Sequence, residues 1–136
     1  MTPETKITCG IILLTVPTIQ YGGYFLLSIL SGRQKLSLTD FQKSMFRAGH
    51  AHAGVLVIFA LIAQILTDYS SLNRALELFV RTGFPLAAIL VSGGFFASAS
   101  GKNITKPNSL ISILYFGIFI LAASTIILGI GLISNK

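Results

Sequence analysis

His50 and His52 are the chain's two histidines, one residue apart in the run Phe46-Arg47-Ala48-Gly49-His50-Ala51-His52-Ala53-Gly54. Imidazole binds metals and moves protons near neutral pH, so this pair is the first place to look for chemistry. Residues on a helix turn about 100° apart, so positions i and i+2 point about 200° apart. One metal ion cannot draw on both, and helical chelates use i and i+4 instead. Each histidine must serve a separate neighbour, either as a single ligand or as a hydrogen-bond partner. Ala48, Gly49, Ala51, Ala53 and Gly54 keep the adjoining surface small. That leaves room for a flat cofactor or a closely packed helix. Haem is the first cofactor the pair suggests, and a transition metal is the second.

The elements that must position the pair are membrane spans. Hydrophobic residues make up 53% of the 136 residues and charged ones only 10%, with a mean hydropathy of +0.81. Soluble domains carry about 25% charge, so these groups cannot coat a water-soluble globule. Disorder is excluded by the opposite imbalance. Four runs, 7–30, 45–66, 78–100 and 109–133, are long enough to cross a bilayer, which takes about 20 apolar residues. Backbone groups must pair internally in lipid, so the runs are helices, and the period-2 alternation of a membrane barrel is absent. The first run lacks a basic leader and is read as a retained span. The expected fold is all-α, a single transmembrane domain over 1–136. Its short connections imply an up-down-up-down four-helix bundle. Ser37-Leu38-Thr39-Asp40 reads as the cap of a short interfacial helix before the second span.

Alternating helices bring other polar residues to the depth of the histidines. Tyr21 and Tyr24 near the end of the first helix lie there with Gly22 and Gly23. So do Ser92, Gly93 and Gly94 in the third, and Ser112 and Tyr115 in the fourth. A cofactor pocket at this level would use His50, His52, Tyr24, Tyr115 and Gly93, with His50 and His52 as the metal ligands. Gln20 lies slightly deeper, and Gln64 belongs to another layer. The Gly22-Gly23-Tyr24-Phe25 segment resembles Gly93-Gly94-Phe95-Phe96, and a proline precedes each, Pro17 and Pro85. The bland account is that glycine pairs mark close helix packing.

The four acids, Glu4, Asp40, Asp68 and Glu77, fall at helix ends or connections. None is expected to act as a buried base beside the histidines. Arg47 and Arg81 read as headgroup anchors, and the lone Cys9 as a passive small residue. The net charge of +6 reflects Lys and Arg at helix ends. It marks contact with the lipid bilayer and is not a nucleic-acid signal. Arg33, Lys35, Lys43, Arg47, Lys102 and Lys106 lie at one end, against Lys6, Arg74, Arg81 and Lys136 at the other. That excess places both termini outside the cytoplasm.

The run 46–57 (FRAGHAHAGVLV), with the TPETK start and the YGGYFLLS segment, resembles a family of small, uncharacterised four-span bacterial membrane proteins. The resemblance implies a bacterial inner-membrane location and supplies no activity. Over about a dozen residues, the H-x-H helix also resembles that of haem-copper oxidase and nitric oxide reductase catalytic subunits. There, histidines at the positions matching His50 and His52 ligate haems on opposite sides of one helix. Those subunits have many more spans and further histidines, so the resemblance does not extend to oxidase activity. A haem here would be five-coordinate, completed by Met45, or shared across a homodimer.

Three functions fit these readings. The first is an accessory or structural membrane subunit, in which the histidines hydrogen-bond between helices inside a homo-oligomer or larger complex. The second is a haem- or metal-binding membrane protein using His50 and His52. The third is a small oligomeric transporter or lipid-handling protein. A soluble-type enzyme is disfavoured, because the sequence has no phosphate loop, no G-x-S-x-G and no paired carboxylates.

Overall fold

The computed structural model describes residues 1–134, and these form four helices with no strand among them. Helix α1 spans Pro3–Leu30, α2 Asp40–Thr67, α3 Arg74–Ser98 and α4 Ile111–Ile133. All four are long and apolar enough to cross a membrane. Together they make an all-α, membrane-spanning bundle with short antiparallel connections. Lys136, counted above for orientation, lies outside the described residues.

Polar caps extend the helices beyond their apolar runs. Thr2 caps α1 by accepting from the Thr5 N–H, and Pro3 opens the first turn, where its missing N–H costs nothing. Asn73 caps α3 in the same way. Thr39 and Gln42 form a reciprocal capping box at the start of α2. That box makes Asp40 the first residue of one continuous helix, so the separate interfacial helix expected before the second span is absent. The Gln42 amide also donates to the carbonyls of Ala99 and Gly101, at 3.0 and 2.8 Å. The Thr39 hydroxyl donates to the Ile104 carbonyl. The α1–α2 and α3–α4 connections are thereby tied together.

Helix α3 is the centre of the bundle and packs closely on both α2 and α4, whereas α1 rests mainly on α2. In the most apolar stretch of α3, 44% of residues are buried, against 11% in α1. Small residues set the close approaches. A Cβ on Gly94 would lie 2.5 Å from the Leu114 backbone nitrogen, and one on Gly117 would lie 2.8 Å from that of Val91. The α3–α4 backbones therefore interlock through glycine, as packing in lipid favours. The core below this point holds Ile12, Ala60, Ala63, Val80, Phe84 and Leu128. The two similar glycine segments have different surroundings. Gly94 receives a backbone, while Gly23 receives a side chain, that of His50.

Candidate functional site

The histidines lie near the start of α2 with their side chains in different surroundings. His50 is half-buried, and its ring lies on the α1 backbone. A Cβ on Gly23 would come within 2.8 Å of His50 Nε2, so glycine is what admits the imidazole here. Two small apolar spaces flank the ring. One, of ≈ 260 Å³, is shared with Gln20 and Gly54, and the other, of ≈ 270 Å³, with Phe46 and Phe96. Among the described residues no hydrogen bond involves the His50 ring.

His52 is exposed and packs on Phe95 of α3, with ring centroids 4.9 Å apart. Its Nδ1 lies 2.8 Å from the Ala48 carbonyl oxygen. A carbonyl only accepts, so Nδ1 carries a proton, and in the neutral imidazole the lone pair is on Nε2.

Of the other residues expected at this level, Gly22 and Gly23 meet the His50 ring, whereas Tyr24, Tyr115 and Gly93 face away from it. Tyr24 is 61% and Tyr115 62% exposed, and Gly93 is also exposed. None of the three lines either space beside His50. Gly94 is the neighbour that packs inward. Among the described residues, no three or more His, Cys, Asp and Glu side chains gather in a way that could hold a metal ion. Each histidine can therefore offer at most one protein ligand within a single chain.

The densest polar chemistry is at the opposite end of the bundle. Arg81 is expected to reach a headgroup, but it is 6% exposed and turned inward. Its Nη2 donates to Asp68 Oδ1 at 2.7 Å and its Nε to Glu77 Oε1 at 2.8 Å. Its Nη1 donates to Thr5 Oγ1 at 2.7 Å and to the Gln64 carbonyl at 3.3 Å. Gln64 returns a bond from its amide to the Arg81 carbonyl at 2.8 Å. A buried guanidinium must be paired and hydrogen-bonded or its desolvation is ruinous, and five donors in a fork meet that demand.

Asp68 completes the cluster. It caps the end of α2, sits at a connection as expected, and its side chain, 7% exposed, nevertheless lies beneath the start of α1. The Thr5 hydroxyl donates to Oδ1 at 2.5 Å, the Thr2 hydroxyl to Oδ1 at 3.0 Å, and the Thr2 N–H to Oδ2 at 2.9 Å. Burial pushes its carboxyl up, but the bonds from Thr5, Arg81 and Thr2 outweigh that and hold it well below the usual carboxylate range. Three helices, α1, α2 and α3, thus meet in one charged knot.

Part of this knot is visible in the spacing. Gln64–Asp68 and Glu77–Arg81 are i, i+4 pairs on their helices, and a short turn joins the two. Thr5 gives no such signal, because its partners lie 63 and 76 residues away. No family model matches the chain, and comparison with curated proteins and with solved structures returns no match.

Proposed function

We propose that this chain is an accessory, structural subunit of a membrane complex, in which a partner helix lies against α1. Gln20 carries the reading. It stands just past the midpoint of α1, by residue count about 5 Å along the axis, and is exposed. Among the described residues its amide has no hydrogen bond. The hydrocarbon core extends about 15 Å either side of its centre, and an unpaired amide there costs several kcal/mol. A facing helix with a donor or acceptor relieves that cost. Tyr21, 70% exposed, continues the same outward surface. The excess of Lys and Arg at the histidine end favours a bacterial inner-membrane orientation with both termini outside the cytoplasm.

The test is the mass of the particle extracted from native membranes in mild detergent. The expected species exceeds the 14.6 kDa chain by more than bound detergent accounts for. Gln20→Leu should weaken its association about fivefold, since one interhelical hydrogen bond contributes about 1 kcal/mol. A chain that runs alone, with Gln20→Leu unchanged, sinks the proposal.

A second reading has one observation in its favour. The Ala48 carbonyl fixes the His52 tautomer with Nε2 free, as the outer partner of a metal-bound histidine does. His52 would then be one axial ligand of a haem or metal completed by a second chain. Visible spectra of the wild type and of His52→Ala decide it, and a colourless, metal-free wild type removes it.

A further inference from the structure

Helices α1 and α3 are joined by side chains at the Arg81 end and otherwise stand apart, with α2 as the floor between them. The resulting cleft has two consecutive parts that share Pro85. The inner part, ≈ 360 Å³, runs over Ala53, Val57 and Ala60 and ends near Ser92. The Thr15 and Thr18 hydroxyls on its α1 wall turn back to the carbonyls of Ile12 and Thr15, at 2.7 and 2.6 Å. Their polarity is spent within the helix, which leaves the wall effectively apolar. From Arg81 to Ser92 the cleft descends about 16 Å at 1.5 Å per residue. That is the depth of one leaflet, half of an apolar core about 30 Å thick.

The outer part, ≈ 440 Å³, is different in kind. Glu4 on α1 and Arg74 on α3 face each other across its mouth, 2.8 Å apart, and Arg74 also bonds Glu77 of its own helix at 3.4 Å. Their side chains remain 50% and 67% exposed. One wall therefore offers an anion and the other a cation, about 10 Å above the level of Arg81, which also lines the outer part. An ion pair this exposed contributes little, so exchanging partners is cheap.

We propose that the α1–α3 cleft binds one zwitterionic phospholipid, phosphatidylethanolamine in character. One acyl chain lies in the inner cleft, the phosphate on Arg74 and the ammonium on Glu4. Charge complementarity selects this occupant. A planar guanidinium suits a phosphate, and a carboxylate suits an ammonium. An anionic headgroup would satisfy Arg74 and leave Glu4 facing a like charge. A neutral amphiphile would use neither. The site does not depend on the partner helix proposed above, because Gln20 opens on the α1–α2 side and does not line this cleft.

The test is native mass spectrometry of the purified full chain, delipidated and then titrated with phosphatidylethanolamine, phosphatidylglycerol or diacylglycerol. The expected result is one tightly held phosphatidylethanolamine, bound about tenfold more tightly than either competitor, since charged hydrogen bonds contribute about 1.5–3 kcal/mol. Thr15→Phe fills the cleft from an exposed position and should abolish binding with the melting temperature unchanged. Glu4→Gln with Arg74→Gln should keep a bound lipid but erase the headgroup preference. Equal retention of all three lipids, untouched by Thr15→Phe, means an annular lipid only and overturns the proposal. A dimer that Thr15→Phe dissolves would put a second copy in the cleft and also overturn it.

Discussion

The two ends of the bundle handle buried polarity in opposite ways. At the Arg81 end, charges are sunk among three helices, and every one the network draws in has an identified partner. At the histidine end there is no ion pair among the buried groups described, and the packing is aromatic on glycine. The first end can lose nothing without stranding a charge. The second holds spare capacity in an imidazole with a free lone pair, a ring on a bare backbone, and spaces beside it. A small membrane protein can thus be clamped at one end and left open to new contacts at the other.

Removing Arg81 should break the contrast most severely. Arg81→Leu strands Asp68 and should cost about 3–5 kcal/mol, the usual penalty for half of a buried pair. Unfolding in mixed detergent micelles measures it, and a loss below about 1 kcal/mol would mean that the knot does not clamp the helices. Next in size is Gly94→Leu, which drives a side chain into the Leu114 backbone near the open end. Overpacking of this kind costs about 1–3 kcal/mol, read in the same assay.

Stability against pH sharpens the comparison. Asp68 is held below its unfolded carboxyl value, about 3.9, so its contribution is complete above that value and is lost as pH falls through the folded one. The clamp should therefore be constant from pH 8 to pH 5 and weaken only in stronger acid. A midpoint that moves between pH 8 and 5 in the wild type, but not in Asp68→Asn, contradicts this assignment. The smallest effects belong to the histidines. His50→Ala opens space beside Gly23 and should cost about 1 kcal/mol, while His52→Ala, at an exposed position, should stay within about 0.5 kcal/mol. Spin-label distances between α1 and α2 should shorten for the first variant only, as the helices relax into the vacated space, and equal effects would mean that the two rings are not differently placed.

The four spans were legible because unbroken apolar length is itself the signal. The starts of the first three were not, because Thr2, Thr39 and Asn73 extend the helices with polar caps that hydropathy ignores. Three of the residues expected around the histidines face away from them, and the reason is specific. Counting residues gives depth along a helix axis but not rotation about it. Tyr24 and Tyr115 can lie at the right level and still face outward, and Gly93 misses the interface that Gly94, about 100° away, occupies. Arg81 misled for a related reason. An arginine near the end of an apolar run reads as a headgroup anchor until its partners are known, and Thr5 joins it only through tertiary packing. Gln64, read from sequence as lying in a different layer from the histidines, is in the Arg81 knot.

The Arg81 knot also bears on how the chain enters the bilayer during synthesis. An α3 delivered alone would carry the Arg81 guanidinium toward lipid with Glu77 as its one carboxylate partner. Asp68 lies just upstream, across the short turn, and Glu77 lies one turn before Arg81 on α3 itself. The α2–α3 hairpin can therefore neutralise its own cation before α4 exists. In the assembled bundle Thr2 and Thr5 of α1 close over the same carboxylate.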